Sequence, residues 1–359
     1  MAKTPSARVV NLVSSIRSTL GRLQQKMAPP SVAVLDLVTG MWSFQIVYAL
    51  CELGIPDQLT HQPISGTAIA RAVGAPEDRV YRLLRAASTI GLVIETGERA
   101  FRATSIGETL RQHRVGSVRD FILFQGRHGW ENWGALTDCI RTGKSAVMLR
   151  HGKNAFDYFT SPGISDTFNR AMTGISFMTE DAILAAYPFG RFPTVADIGG
   201  GHGRLLGAIL RAHSAHHGIL VDLPSVISGA AAVLDELGVS DRCQMVEADF
   251  FQPLPEMDVD LFVMKAIIHD WLDPEANTIL RHVRARMRPE SRLILCEVVV
   301  PGPNRPSLAK HLDMEMMVHA DGKERTREEY AELCRRSGLR LRQITPSASP
   351  ISLIEAAPI

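Results

Sequence analysis

The sequence has almost no net charge and few cysteines. Its 39 Lys and Arg side chains are balanced by 38 Asp and Glu side chains, so no bulk field favours nucleic acid or an anionic membrane. The five cysteines are odd in number, widely spaced and never in a C-x-x-C pair, which disfavours a disulfide framework and a cysteine-based zinc site. These absences predict a cytoplasmic protein without nucleic-acid or membrane partners.

The sequence also lacks a long apolar run and a recognisable secretion signal, so we expect no membrane span. Residues 1–35 contain no acid. Their basic residues are Lys3, Arg8, Arg17, Arg22 and Lys26, and their apolar residues at helical spacing are Val9, Leu12, Val13, Ile16, Leu20 and Leu23. This composition fits an organelle transit peptide or an amphipathic helix that packs on a partner subunit, and we favour the helix.

Residues 1–115 are predicted to form a mostly helical first domain. A helix at 66–73, a second helix from Glu77 and a β-hairpin turning at Gly97 follow in the order typical of a winged helix. Winged helices often bind DNA, but residues 61–115 hold only eight Arg against five acids, spread over both elements. We therefore expect a scaffold or dimerisation module.

Residues 116–359 are predicted to form an α/β domain, beginning with a helical bridge at 116–190. The bridge is rich in aromatic side chains, which suit either a core or the wall of an apolar pocket. From residue 192, short apolar strands alternate with helices, which indicates a parallel sheet with helices on both faces. The strand segments are TVADIGG, HGILVDL, QMVEAD, DLFVMK and RLILCEVV. Ligands of such sheets bind at the carboxyl ends of the strands.

A glycine-rich loop follows the first of these strands. Four glycines occupy the five positions 199–203 and open a helix, so the backbone can approach a nucleotide-like ligand. The dinucleotide pattern G-x-G-x-x-G fails because Arg204 stands where its third glycine would be, which disfavours hydride transfer.

Polar and aromatic side chains follow the next strands. Asp222 ends the second strand, where an acid can accept the hydroxyls of a ribose. Asp249 and Phe250 follow the third strand, where a carboxylate suits an amino group and a ring suits an adenine plane. Lys265 ends the fourth strand and either meets a ligand carboxylate or is solvated. The sequence thus predicts a nucleoside ligand at this edge of the sheet.

Six motifs in order make the chain similar to the class I S-adenosylmethionine-dependent O-methyltransferases of the plant caffeic-acid and bacterial antibiotic-type family. They are DIGGGHG, VDLPSV, ADFF, MKAIIHDW, CEVVVPG and DGKERTREEY. The resemblance implies a Rossmann-like α/β fold behind a winged-helix dimerisation domain, and a homodimer. It also implies S-adenosylmethionine as donor, S-adenosylhomocysteine as product, and a hydroxyl of a small aromatic molecule, such as a phenol, polyketide, naphthoate or phenazine, as acceptor.

The resemblance further implies roles for individual residues. The donor would contact Gly199, Asp222, Asp249, Phe250 and Lys265. His269 would be the general base, flanked by Glu297 and Glu324. The acceptor would be lined by Phe168, Met172 and Met316.

Acid–base chemistry explains why histidine suits this reaction. A phenol has a pKa of ~10 and an ordinary histidine one of ~6.5, so at neutral pH imidazole is available while phenoxide is scarce. An imidazole that takes the proton during attack removes this mismatch, and a carboxylate on its other nitrogen would fix the tautomer. The neighbouring Asp270 is expected to cap the next helix, and Trp271 to serve packing.

The sequence also allows other mechanisms and functions. No group of His, Asp and Glu has metal-site spacing along the sequence, so we expect a metal-free mechanism. One alternative is a winged-helix regulator that responds to a ligand, which predicts salt-sensitive DNA binding. The other is a cofactor-binding protein without catalysis, which predicts donor binding without product.

Overall fold

The computed structural model describes residues 5–359 as two compact units. The winged-helix unit contains residues 16–135 and 156–177, and the sheet unit contains the described residues before 16 together with 136–155 and 178–359. Residues 1–4, among them Lys3 of the basic N-terminal segment, lie outside the described residues.

The first half of the chain is mainly helical. Its elements are α1 (Ala7–Met27), α2 (Pro30–Glu52), α3 (Ile55–Gln58), β1 (Ile64–Ser65), α4 (Gly66–Ala72), α5 (Glu77–Thr89), β2 (Val93–Glu95), β3 (Ala100–Ala103), α6 (Arg119–Phe124), α7 (Trp130–Gly134), α8 (Leu136–Thr142), α9 (Ala146–His151), α10 (Ala155–Phe159) and α11 (Ser165–Ala186). The predicted winged helix is present: α4 and α5 precede an antiparallel hairpin of β2 and β3, and β1 pairs with β3. Ser65 caps α4 by accepting the N–H of Ala68.

Helices α1 and α2 expose most of their apolar side chains. None of the residues of α1 is buried, and α2 buries only Leu50 and Cys51. By length and composition, α2 is apolar enough to cross a membrane, with little of it buried. The expectation that the sequence lacks a long apolar run was wrong, because the only charged residue of α2 before Glu52 is Asp36. These two helices present an exposed apolar surface of the kind that marks contacts with another protein or a membrane.

The second half of the chain alternates strands and helices. Its elements are β4 (Thr194–Ile198), α12 (Arg204–Ala212), β5 (His217–Asp222), α13 (Pro224–Ile227), α14 (Ala230–Glu236), β6 (Cys243–Glu247), β7 (Leu261–Lys265), α15 (Asp273–Arg286), β8 (Arg292–Val300), α16 (Ala309–His319), β9 (Arg325–Thr326), α17 (Arg327–Arg336), β10 (Leu339–Pro346) and β11 (Ile351–Pro358). Ser228 and Gly229 separate α13 from α14.

The main sheet has the order β10–β11–β8–β7–β4–β5–β6, and β9 pairs with the end of β8. Strands β4 to β8 are parallel, whereas β10 and β11 are antiparallel to their neighbours. The central strands are buried on both faces, as in β7, whose Leu261, Phe262, Val263 and Met264 are fully buried. The parallel strands therefore end along one edge, where the predicted site residues gather.

Candidate active site

The glycine-rich loop 199–203 turns sharply between β4 and α12. Gly199, Gly201 and Gly203 have φ angles of 69°, 60° and 75°, a left-handed backbone that residues with side chains rarely adopt. A Cβ atom on Gly199 would lie 2.8 Å from Cδ1 of Ile267 and 3.3 Å from Cε1 of Phe250. The loop therefore requires glycine both for its backbone angles and for its close approach to the Phe250 ring.

Asp222 ends β5 beside this loop. One of its carboxylate oxygens accepts the N–H of Gly201 at 2.7 Å, and the other accepts the N–H of Leu223 at 2.7 Å. Burial raises the pKa of Asp222, although both backbone bonds and His202 oppose the rise. The carboxylate is thus fixed against the loop, and each oxygen has a second lone pair for a ligand hydroxyl.

Asp249 and Phe250 lie in the turn after β6. The carboxylate of Asp249 accepts the N–H of Phe251 at 2.9 Å, which fixes the turn. The ring of Phe250 packs against Phe251 and Trp271, with centroid separations of 5.2 and 6.3 Å. A carboxylate and an aromatic ring thus reach the strand edge that holds the glycine loop, as the sequence predicted.

Lys265 and Asp197 are charged residues on the neighbouring strands β7 and β4. Burial lowers the pKa of Lys265, against the effect of nearby acidic groups that include Cys296 and Asp197. Burial raises the pKa of Asp197 to about 7, with Lys265 opposing. Oδ1 of Asp197 is buried with no hydrogen-bond partner among the described residues, so it requires a donor. Sequence reasoning gave Asp197 no role, although an acid inside the apolar strand TVADI was a usable signal.

His269 lies in a short 3₁₀ turn, Ile268–Asp270, beyond β7. Its Nδ1 is 2.9 Å from Oε1 of Glu324 and 3.8 Å from Oε2 of Glu297. Its Nε2 is 3.6 Å from Oδ1 of Asp270. The structure thus brings together His269, Glu297 and Glu324, which only the family resemblance had grouped, and it adds Asp270.

Glu297 is buried in β8 and supports the histidine turn. Its Oε1 accepts the N–H of Ile267 at 3.1 Å and that of Ile268 at 2.8 Å. Its Oε2 and the Oε2 of Glu324 are buried with no hydrogen-bond partner among the described residues. Burial raises the pKa of Glu297 to about 7, with His269 opposing and Glu324 reinforcing. Glu297 therefore holds a proton more readily than an exposed glutamate does.

The carboxylates also change the proton affinity of His269. Burial alone lowers the pKa of His269, but Glu297, Asp270 and the hydrogen bond to Glu324 outweigh burial and raise it to about 10. Burial in turn raises the pKa of Asp270 to about 6. The expectation of an ordinary histidine pKa was wrong, because these carboxylates favour the imidazolium form.

Asp270 does not cap the next helix, contrary to the expectation from the sequence. Helix α15 begins at Asp273 behind Leu272, and no side chain caps it. The carboxylate of Asp270 lies near Nε2 of His269 instead. Trp271 packs edge-on against Phe251 with centroids 4.6 Å apart, in agreement with its expected packing role. An acid that caps a helix and an acid beside a base look alike in a local sequence, so the role of Asp270 was missed.

The three predicted acceptor residues lie on two helices. Phe168 and Met172 belong to α11 within the winged-helix unit, and Met316 belongs to α16 in the sheet unit. Phe168 stacks on Phe159 with centroids 5.1 Å apart and lies 5.5 Å from Phe124. Met172 and Met316 are half-buried. An aromatic surface surrounds Phe168, and its part in acceptor binding remains a prediction.

His269, Glu297 and Glu324 also have distances suitable for a metal ion. Each offers one ligand atom, and these atoms lie within 4.8 Å of one another. Sequence spacing could not reveal this group because its members come from three separate elements. Nδ1 of His269 is 2.9 Å from Oε1 of Glu324, which is a hydrogen-bond distance and favours a proton between these two atoms.

Known proteins resemble the chain along most of its length. Residues 35–113 match the O-methyltransferase dimerisation domain, and residues 133–340 match the O-methyltransferase domain. Phenazine O-methyltransferase of Lysobacter antibioticus is 35% identical over 332 residues, which cover 92% of this chain and 97% of that protein.

Two solved structures extend the comparison. Human N-acetylserotonin methyltransferase in complex with S-adenosylmethionine superposes with a TM-score of 0.83 at 25% identity, covering 92% of this chain and 98% of the other. An O-methyltransferase from neocarzinostatin biosynthesis, in complex with S-adenosylmethionine and 2-hydroxy-5-methyl naphthoic acid, superposes with a TM-score of 0.75 at 30% identity, covering 88% and 96%.

The residues at the strand ends have the chemistry that S-adenosylmethionine requires. Asp222 offers a carboxylate for hydroxyls, Phe250 offers a ring face, and the partnerless oxygen of Asp197 requires a donor such as an amino group. The family match disfavours the regulator and the non-catalytic alternatives. The chain belongs to the S-adenosylmethionine-dependent O-methyltransferases, with a Rossmann-like α/β domain behind a winged-helix dimerisation domain, and it methylates hydroxyl groups of small aromatic metabolites.

Proposed function

We propose that His269 is the general base for methyl transfer and that its Nε2 receives the proton of the acceptor hydroxyl. The observation that supports this is the 2.9 Å contact between Nδ1 and Glu324, which leaves Nε2 for the acceptor, with Oδ1 of Asp270 3.6 Å from that nitrogen. S-adenosylmethionine supplies the methyl group on a positively charged sulfur. Glu324 keeps a proton on Nδ1 and stabilises the imidazolium that forms as the hydroxyl proton moves to Nε2. The products are the methyl ether and S-adenosylhomocysteine.

The raised pKa of His269 sets a condition on this role. An imidazole that is already protonated cannot act as a base. A positive charge bound beside the glycine loop, at the same edge of the sheet, favours the neutral imidazole by Coulomb repulsion. Once methyl transfer has consumed that charge, the carboxylates again favour the imidazolium and retain the proton. The acidic cluster would thus promote proton uptake at the moment of transfer.

For the donor, we propose contacts through the residues at the strand ends. The set is Gly199, Asp222, Asp249, Phe250 and Lys265. The glycine loop offers close backbone approach, and the carboxylate of Asp222 beside it suits the ribose. Asp197 joins this set because its buried oxygen requires a donor.

For the acceptor, we propose a small, flat aromatic molecule with a free hydroxyl. A phenazine and a naphthoic acid are the ring systems that the compared proteins carry in their names or complexes. Phe168, Met172 and Met316 would provide apolar contacts, because flat rings gain from aromatic stacking and from adaptable methionine side chains. Phenols and polyketides of similar size belong to the same class.

Replacing His269 with alanine tests the base directly. His269→Ala should bind S-adenosylhomocysteine within about threefold of the parent and lower kcat by about 10² to 10⁴, the range for loss of a general base. His311→Ala, at an exposed histidine of α16, is the matched control and should change neither. Near-parental turnover by His269→Ala would rule out the base assignment.

We further propose that a second copy of the chain covers the apolar surface of α1 and α2. The dimerisation-domain match begins at residue 35, within α2, and Leu35, Leu37 and Trp42 of that helix are 65%, 66% and 58% exposed. A cytoplasmic homodimer would bury this surface without a membrane.

A double charge substitution separates these possibilities. Leu35→Glu with Leu37→Glu should convert a dimer into a monomer in light scattering. Ile140→Glu, at an isolated exposed residue of α8, should leave the mass unchanged. If the parent chain is monomeric and partitions into phosphatidylcholine vesicles, the apolar surface faces lipid and the dimer proposal is wrong.

A further inference from the structure

The turn that carries His269 has little regular structure of its own. Ala266 at its start has a positive φ of 54°, and the 3₁₀ segment covers only Ile268–Asp270. Glu297 holds two N–H groups on the amino-terminal side of the turn. Within the turn, the carbonyls of Ile267 and Ile268 accept long bonds from the N–H groups of Asp270 and Trp271, at 3.2 and 3.4 Å, and further partners come from elsewhere in the chain.

Those partners come from residues 321–325. Asp321 has a positive φ of 56°, and a Cβ on Gly322 would lie 2.2 Å from the carbonyl oxygen of His269. The N–H of Lys323 donates to that same oxygen at 2.8 Å. Glu324 then contacts Nδ1 of His269. One short segment thus holds both the backbone and the side chain of the proposed base.

Arg325 completes this arrangement with a fully buried guanidinium. Its Nη1 donates to the carbonyl of Ile268 at 2.9 Å and to that of Lys323 at 3.2 Å. Its Nη2 donates to the carbonyl of Trp271 at 2.8 Å. Its Nε and Nη2 each lie 2.9 Å from Oδ1 of Asp273. Four of these contacts are hydrogen bonds, and the contact between Nη2 and Asp273 is an ion pair.

Fold stability is a weak explanation for this buried charge. Removing a guanidinium from water is costly even when it meets a carboxylate, and the Asp273 side chain remains 44% exposed. The position of the contacts is more specific, because the carbonyls of Ile268 and Trp271 lie on either side of His269 and Asp270. A rigid, planar fork can fix both carbonyls at once, which a single ammonium group cannot.

We propose that Arg325 is a positioning residue that fixes the 268–271 turn so that the His269 ring meets Glu324. Its importance for turnover rests on the proposed role of His269 as base. The proposed effect of Arg325 on the orientation of the histidine ring is independent of that role, because the contact between His269 and Glu324 can be observed without turnover.

Three variants test the proposal. Arg325→Met removes the fork and keeps the apolar stem, and Arg325→Lys keeps the charge without the fork. Arg242→Met is the matched control, because Nη1 of Arg242 also donates to three carbonyls, those of Leu210, His213 and His216, at the opposite edge of the sheet. Each variant would be examined for thermal unfolding, S-adenosylhomocysteine affinity, kcat and KM, and for the ¹⁵N and ¹H resonances of the His269 Nδ1–H group.

We expect Arg325→Met to lower kcat by about 10²-fold, the usual effect of a misplacement near 1 Å, with acceptor KM and S-adenosylhomocysteine affinity within about threefold. The low-field Nδ1–H signal should move or broaden. Arg325→Lys should lie between parent and Arg325→Met, and Arg242→Met should leave the signal and kcat unchanged. If Arg325→Met does not fold, Arg325→Lys carries the test, with a smaller loss and a displaced signal.

An unchanged Nδ1–H signal in a folded Arg325 variant would overturn the proposal, and so would a loss of kcat no larger than that of Arg242→Met. Failure of the base assignment has a different signature. In that case His269→Ala retains turnover, while the Arg325 variants still displace the His269 signal.

Discussion

The glycine loop and the His269 cluster lie at the same edge of one sheet but are built in opposite ways. The loop is one continuous segment, 199–203, in which bare backbone in an unusual conformation approaches its surroundings. The cluster is assembled from separate parts of the chain: the turn after β7, the middle of β8 and the segment before β9. One site depends on local backbone angles, and the other depends on long-range packing.

This difference predicts which kind of substitution damages each site. Added atoms should damage the loop, because Cβ atoms have no room at Gly199. Lost charges should damage the cluster, because Glu297, Asp270 and Glu324 together set the proton affinity of His269. Substitutions of each kind should therefore separate donor binding from proton transfer.

The largest expected effect follows from removing the negative charge of Glu324. Glu324→Gln should lower kcat by about 10⁴-fold, the loss that follows when the orienting carboxylate of a catalytic triad becomes an amide. Donor affinity should stay near the parental value, because Glu324 contacts His269 and not the glycine loop. Single-turnover rates and calorimetric titration with S-adenosylhomocysteine measure the two quantities. An equal loss of turnover rate and of S-adenosylhomocysteine affinity would show that proton transfer and donor binding do not depend on separate sites.

The reverse pattern is expected for the glycine loop. Gly199→Ala should weaken S-adenosylhomocysteine binding by about 10- to 100-fold, because a left-handed non-glycine residue costs about 1–2 kcal/mol and its Cβ would also meet Ile267. Gly201→Ala is the matched control, since its φ is 60° but its Cβ would have open space. Gly201→Ala should show only the smaller loss of affinity that comes from the left-handed backbone conformation. Equal losses in both variants would mean that close approach at Gly199 is unimportant.

A smaller effect is expected on the pH dependence. Because the carboxylates raise the pKa of His269 to about 10, the basic form is lost as pH falls below that value, and turnover should rise with pH above neutrality. Nitrogen-15 titration should find the pKa of His269 lower with S-adenosylmethionine, which carries a positive charge, than with neutral S-adenosylhomocysteine.

The same titration should place the pKa of His269 in Glu324→Gln lower by about one to two pH units, because a hydrogen bond to a charged group contributes about 1.5–3 kcal/mol. A value unchanged by both the donor and the substitution would show that the surrounding charges do not control the imidazole.

The sequence predicted the features that depend on local signals and missed those that depend on long-range packing. The five parallel strands and the winged helix were predicted, because apolar period and turn residues are local signals. The hairpin of β10 and β11 was not predicted, because its alternating strands LRLRQITP and ISLIEAAP carry no motif that marks their pairing with β8. The domain boundary near residue 115 remains a prediction.

Within the site, Gly199 and Asp222 could be found from motif and strand position. Glu297 and Glu324 could be grouped with His269 only through the family resemblance, since no spacing rule connects residues from separate elements. The contact of Asp270 with Nε2 and the buried contacts of Arg325 depend on the three-dimensional path of the chain. A raised histidine pKa depends on three such contacts at once, so no sequence pattern could have indicated it.

The smallest expected effect concerns metal ions. The distances among His269, Glu297 and Glu324 would allow a cation, but binding there would displace the proton that Nδ1 shares with Glu324 and would remove the orientation on which the base depends. Dialysis against EDTA should therefore change kcat by less than about twofold, whereas a metal-dependent mechanism would lose most of its rate. Turnover lost on dialysis and restored by Mg²⁺ or Zn²⁺ would make the cluster a metal site and assign its carboxylates to coordination instead of proton transfer.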